Sequence, residues 1–78
     1  MADAVDPAWV VRMMERDLRR SFFEYKNVGI QDFRAEDGML GILIDRGTAS
    51  QISALKRYVS KTYGIGVSKI YVVVVSRR

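Results

Sequence analysis

The sequence predicts a single α+β domain that reads helix, strand, strand, helix, strand, with a three-stranded mixed sheet and two helices on one face. The chain of 78 residues is long enough for one hydrophobic core and too short for two. Apolar residues recur at helical spacing in two segments, and strand-like patterns fill the segments between and after them. We therefore expect one domain over residues 1–78, with residues 1–6 disordered and residues 76–78 forming a basic C-terminal end.

The first helix is predicted over residues 7–26. Asp6 suits the N-cap and Pro7 suits the first helical position. Asn27 is the expected left-handed C-cap. Along the helix a buried stripe repeats every four residues, and its members are Val10, Met14, Leu18 and Phe22.

Residues 28–45 predict a β-hairpin, because the apolar period changes to two and Glu36-Asp37-Gly38 reads as a turn midway. Gly41 and Leu43 are expected to point away from the core. The inward residues are expected to be Val28 and Ile30 in the first strand, and Leu40, Ile42 and Ile44 in the second.

The second helix begins at a capping-box pattern, Thr48-Ala49-Ser50-Gln51, and is expected to end at Gly64. Its buried stripe is Ile52, Leu55, Val59 and Tyr63. We expect this helix to form a right-handed crossover to the last strand, with the first helix beside it on the same face of the sheet.

The last strand, residues 69–75, is apolar on both faces, a pattern typical of a strand that is covered on both sides. Two helices on one face would nevertheless leave the other face open. Exposed apolar patches on a monomer usually mark an interface. The sequence therefore predicts a homodimer or a protein partner, bound through Tyr71, Val73 and Val75, with Phe33 and Leu43 on the same open face.

Charge is distributed unequally along the chain. Residues 1–45 hold all nine acidic residues and six basic ones, a net charge of −3. Residues 46–78 hold seven basic residues and no acidic residue, a net charge of +7. A basic surface of this kind suits a nucleic-acid backbone, an acidic protein or anionic lipid, or it is simply a solvated helix face.

The leading functional hypothesis is a non-enzymatic module that binds the phosphate backbone of DNA or RNA. The candidate contact residues are Arg46, Ser53, Lys56, Arg57, Lys61 and Lys69. Gly47, Thr48 and Ser50 open the second helix and could form an anion site there, although a simple helix cap is the better explanation of this segment. The alternative is a protein-interaction or assembly module that uses the open face of the sheet.

Several kinds of chemistry have no candidate residues. The chain contains no histidine and no cysteine, which removes thiol nucleophiles, Ser-His-Asp triads and nearly all zinc, copper and haem ligation. A Gly-rich phosphate loop is also missing. We therefore expect no catalysis, cofactor, metal or small-molecule substrate. The short acidic start of the chain and an apolar run of only six residues, 70–75, predict a cytosolic protein without a membrane span.

The element order and apolar spacing are similar to those of type II KH domains, BON domains and the ring-building modules of bacterial secretion systems. The KH resemblance would imply RNA binding through a G-x-x-G loop between two helices. Here Gly38-Met39-Leu40-Gly41 matches that spacing but falls at the hairpin. The stretch from Asp37 to Gly41, followed by a helix and a Val-rich strand, looks more like a BON domain.

Overall fold

The fold is seen in a computed structural model, which describes residues 5–20 and 28–75, residues 18–20 by their backbone alone. Two helices, a short 3-10 helix and three strands follow one another, which confirms the predicted order. They are α1 (Pro7–Arg20), β1 (Ile30–Glu36), β2 (Met39–Ile44), α2 (Ala49–Tyr63), the 3-10 helix Val67–Lys69, and β3 (Ile70–Val74). The expected continuation of the first helix to residue 26 and its cap at Asn27 lie outside the described residues.

The three strands form one mixed sheet in the order β1-β2-β3. β1 runs antiparallel to β2 across the hairpin. β3 runs parallel to β2, so α2 is the crossover between two neighbouring parallel strands. β2 is therefore the central strand, and β1 and β3 form the two edges of the sheet.

Both helices pack on the same face of this sheet. Leu40, Ile42 and Ile44 alternate along β2 and are fully buried. They belong to one core cluster with α1 residues Val10 and Met14, α2 residues Leu55 and Val59, and the flanking residues Val28, Ile65 and Ile70. Val10 and Met14 of the first predicted stripe thus meet Leu55 and Val59 of the second over the central strand, which confirms the α+β fold; the side chains of Leu18 and Phe22 lie outside the described part.

Local sequence signals explain where the elements begin and end. Asp6 caps α1 by accepting a hydrogen bond from the Ala8 amide at 3.1 Å. The hairpin turns at Asp37 and Gly38, whose φ angles of 55° and 72° suit the left-handed two-residue turns that join antiparallel strands. Gly64 closes α2 with a φ of 78°. Of the segment expected to be disordered, Val5 packs against the core, and residues 1–4 lie outside the described part.

An irregularity in β1 overturns one expectation. Ile30 pairs with Ile44, but Asp32 pairs with Leu43, so Gln31 is an extra residue on β1. The extra residue shifts the alternation, and Phe33 then pairs with Ile42 on the helix-covered side and packs against the core. The prediction that Phe33 lies on the open face was wrong, because strict period-two alternation does not survive a bulge.

The position of β3 also differs from the pattern of its residues. A run that is apolar on both faces predicted a strand covered on both sides, yet the core covers only one face of β3, which also lies at an edge of the sheet. Val73 is 41% exposed and Val74 is 52% exposed. Ile70 at the start of β3 is buried beneath the helices, so the burial of this strand decreases along its length.

Candidate nucleic-acid interface

The solvent side of α2 carries a row of polar and cationic side chains. Ser53, Arg57 and Lys61 are all exposed and recur every four residues, and we call these three residues the basic face. Their orientation is determined by Leu55 and Val59, which are fully buried on the opposite side of the helix. With a rise of about 1.5 Å per residue, the basic face extends over about 12 Å.

The cations of the basic face form no ion pair with a carboxylate of the described residues. No Asp or Glu follows Asp45 in the sequence. Within the described residues, the ion pairs join Arg16 to Asp17 and Arg46 to Asp45. Arg57 and Lys61 therefore keep their full charge available for an external anion, where the attraction is strongest at low salt.

Lys56 and Lys69 extend the cationic surface in two directions. Lys56 is half-buried on the flank of α2, beside the basic face rather than in it. Lys69 is exposed at the last position of the 3-10 helix, immediately before β3. The predicted contact residues thus form a central row, one flanking lysine and one lysine beyond the C-terminal end of α2.

Arg46 lies before the N-terminal end of α2 and is already paired. Its Nη1 atom donates to Oδ1 of Asp45 at 2.9 Å, and the other carboxylate oxygen accepts from Nε2 of Gln31 at 3.2 Å. The Asp45 side chain also occupies the space beside Gly29, where an added Cβ would lie 2.0 Å from Oδ1. Among the predicted contact residues, Arg46 is therefore the one whose charge is already paired with a carboxylate.

The N-terminal end of α2 is closed by its own capping box. The Gln51 amide donates to Oγ1 of Thr48 at 3.2 Å, and the Thr48 amide donates to Oε1 of Gln51 at 2.9 Å. Of the predicted anion site at Gly47, Thr48 and exposed Ser50, the Thr48 amide is thus already in use, as is the neighbouring Gln51 amide. Gly47 serves close packing instead, since a Cβ there would lie 3.1 Å from Cδ1 of Ile44.

The open face of the sheet contains the three predicted interface residues. Its apolar residues are Met39, Gly41 and Leu43 on β2, Tyr71 and Val73 on β3, and Val75 immediately after β3. The Tyr71 ring lies directly over Gly41, so that an added Cβ at Gly41 would be 2.5 Å from Cζ of the tyrosine. Gly41 is buried for this reason, Tyr71 and Val75 are half-buried, and Val73 is exposed.

A polar contact between the helices was not predicted. Tyr63 near the end of α2 donates a hydrogen bond from its hydroxyl to Oδ2 of Asp17 in α1. The Tyr63 ring also meets Trp9 edge to face, with the ring centroids 6.5 Å apart. Burial and the bond to Asp17 both raise the pKa of Tyr63 well above its ordinary value. This contact joins the helices and leaves the basic face free.

A shallow cleft of about 370 Å³ lies at the end of the molecule where α1 begins and α2 ends. Glycines 38, 64 and 66 line much of it, with Asp6 and Lys69 among its polar groups. Asp6 is engaged as the helix cap. The cleft therefore brings Lys69 close to the start of α1 but assembles no set of catalytic groups from these residues.

The described residues contain no cluster of three or more acidic, histidine or cysteine side chains that could hold a metal ion. No helix among them is long and apolar enough to cross a membrane. Comparisons with protein families, curated proteins and solved structures give no match for this chain. The similarity in element order to KH, BON and ring-building domains therefore stays a prediction.

Proposed function

We propose that this domain is a non-enzymatic module that binds the phosphate backbone of DNA or RNA through the basic face of α2. The observation that carries this proposal is the exposed row of Ser53, Arg57 and Lys61, whose cations have no carboxylate partner among the described residues. A cytosolic location, expected from the sequence, belongs to the same proposal.

The chemistry of such a contact follows from the side chains. A guanidinium can donate two parallel hydrogen bonds to one phosphate, while an ammonium acts as a compact point charge. Arg57 and Lys61 lie about 6 Å apart along the helix axis, at about 1.5 Å per residue, with the hydroxyl of Ser53 one turn earlier. The row can therefore follow consecutive phosphates without reading bases, because phosphate contacts position a protein and carry no sequence information.

The test replaces both cations of the basic face, as Arg57→Gln with Lys61→Gln. Binding to a short mixed-sequence duplex and to a single strand is measured by fluorescence anisotropy over a series of salt concentrations. Removing two phosphate contacts should flatten the slope of log K against log salt by about 1.8 for duplex DNA. At ~0.1 M salt this corresponds to about sixty-fold weaker binding, if the two affinities converge near ~1 M salt.

A matched control removes two exposed arginines from α1, as Arg12→Gln with Arg16→Gln, which lowers the net charge by the same amount. If the control weakens binding as much as the α2 variant does, binding depends on the net charge of the protein and the basic face is not the specific binding site. If the unmodified protein shows no binding at low salt, the proposal is wrong. Asp45→Asn gives a further check, because it frees Arg46 and should strengthen binding at low salt.

A second candidate function is a protein-interaction or assembly module that uses the open face. It is supported by Val73, which is 41% exposed, beside the aromatic ring of Tyr71. Tyr71→Asp would place a charge in the middle of this face, and light scattering would then measure the change in mass of any complex. If the molecular masses are the same with and without Tyr71→Asp, the open face is not an interface with another protein or another copy.

A further inference from the structure

Among the described residues no further strand pairs with either edge of the sheet, and the two edges are matched in length. β3 offers five residues, Ile70–Val74, without charge, proline or bulge, although such features normally protect an edge strand from pairing. At the other edge, the regular part of β1 after its bulge is residues 32–36. Neither outer edge pairs with another described strand.

The strand directions allow one copy to continue the sheet of another. β1 is antiparallel to β2 and β3 is parallel to β2, so β1 and β3 run in opposite directions. A second copy displaced sideways, without being turned over, therefore brings its β1 antiparallel to β3 of the first. The helices of both copies then remain on the same side, and the helix layer continues along with the sheet.

The register places opposite charges beside each other in this arrangement. Ala35 pairs with Leu40, and Leu40 pairs with Ile70. Glu36 therefore lies at the level of the residue before Ile70, which is Lys69. In a laterally continued sheet, the exposed Lys69 of one copy stands next to the exposed Glu36 and Asp37 of the next. Opposite charges at an interface set its register and its partner more than its affinity.

A two-fold pairing of β3 with β3 has no such complement. The chain has no acidic residue after Asp45, so α2 and β3 could offer Lys69 only further cations.

We infer that this domain associates with itself head to tail, with β3 of one copy adding to β1 of the next copy through Lys69 opposite Glu36 and Asp37. Because such contacts are heterologous, they produce rings or open chains instead of closed dimers. This inference is independent of nucleic-acid binding through Arg57 and Lys61.

The experiment uses two charge-reversal variants, Lys69→Glu and Glu36→Lys, studied separately and as an equimolar mixture without nucleic acid. Sedimentation velocity over a range of protein concentrations measures the weight-average mass. We expect the unmodified protein to gain mass as its concentration rises. Lys69→Glu alone should associate at least tenfold more weakly, because its contacts then bring only carboxylates together. Glu36→Lys alone should also associate more weakly, but by less, because Asp37 still faces Lys69. The mixture should regain association, since the two reversed side chains face each other at one contact and the native pair meets at the other.

Both altered side chains are exposed, and Lys69→Gln with Glu36→Gln provides milder versions with a lower risk of misfolding. Arg12→Glu is the matched control, since it changes the net charge as Lys69→Glu does but is on α1 and not on an edge strand, and its association should equal that of the unmodified protein. Three results would overturn the inference: a protein that stays monomeric at every concentration, a mixture no more associated than its components, or association that is lost with Tyr71→Asp but kept with Lys69→Glu.

Discussion

Gly41→Ala tests whether the Tyr71 ring rests on the central strand. An alanine Cβ would lie 2.5 Å from Cζ and 2.6 Å from the hydroxyl oxygen of Tyr71, which is far closer than van der Waals contact. Gly41 sits in the middle of the sheet and pairs with neighbours on both sides, so its backbone is the part least free to move. The ring belongs to an edge strand and should turn outwards instead.

The size of the effect follows from two opposing contributions. Exposing roughly 50 Å² of the aromatic ring costs about 1.2 kcal/mol at about 25 cal/mol per Å². Replacing glycine by alanine within a strand gains about 0.5–1 kcal/mol, mainly through the unfolded chain. Gly41→Ala alone should therefore change the free energy of unfolding by less than about 0.7 kcal/mol. In a Tyr71→Ala background only the favourable contribution remains, and the same change should stabilise by about 0.5–1 kcal/mol.

Urea unfolding of the four proteins of this cycle, followed by far-UV circular dichroism, measures the coupling between the two positions. We expect a coupling of about 1.2 kcal/mol, the ring contribution alone. A coupling below about 0.4 kcal/mol would mean that the two substitutions act independently, and the ring would then not cover Gly41. The apolar surface of the open face would in that case be larger than the structure shows, because both β2 and β3 would be bare there.

Two further predictions concern the helices. Thr48→Ala should lower the free energy of unfolding by about 1 kcal/mol through loss of the capping box, and urea denaturation would show a midpoint shift with an unchanged slope; an unshifted midpoint would contradict the cap. Burial and the hydrogen bond to Asp17 raise the pKa of Tyr63 in the folded state. The contribution of Tyr63 to the free energy of unfolding is therefore fully present below about pH 10, the ordinary tyrosine pKa, and is lost as the pH rises above it. In Tyr63→Phe the free energy of unfolding should therefore fall less steeply above that pH. If the free energy of unfolding depends on pH identically in the two proteins, Tyr63 does not have the raised pKa.

Local patterns in the sequence predicted the order of the helices and strands and both ends of α2, whereas they did not predict the 3-10 helix Val67–Lys69 and the predicted end of the first helix lies outside the described residues. The four-residue repeat places Leu55 and Val59 in the core, and the capping residues predict where α2 begins and ends. These signals act between residues a few positions apart, so they do not depend on the rest of the fold. The hairpin turn at Asp37 and Gly38 belongs to the same class, because its left-handed backbone is a property of those residue types.

Features that depend on distant residues were beyond these patterns. The bulge at Gln31 has no marker in the sequence, yet it moves Phe33 from the open face to the core. The bond between Asp17 and Tyr63 joins residues 46 positions apart, with nothing in either segment to announce the other. By contrast, Asp45 and Arg46 are neighbours in the sequence, and this adjacency could have predicted their ion pair. A net charge summed over each half of the chain does not detect such a pair.

The fold places the exposed carboxylates of Glu36 and Asp37 at the end of the edge strand β1, whereas the residues from Arg46 onward carry only basic charges. β1 and β3 form opposite edges, and the cationic helix α2 connects β2 to β3. The proposed nucleic-acid binding and the inferred head-to-tail pairing would both draw on this separation, but they would depend on salt differently. Phosphate binding by Arg57 and Lys61 would release counterions and weaken steeply with added salt. Edge pairing would also gain backbone hydrogen bonds and apolar burial at Val73, which salt screens little. Self-association that persists at a salt concentration where nucleic acid is released would therefore assign the two interactions to different surfaces of this domain.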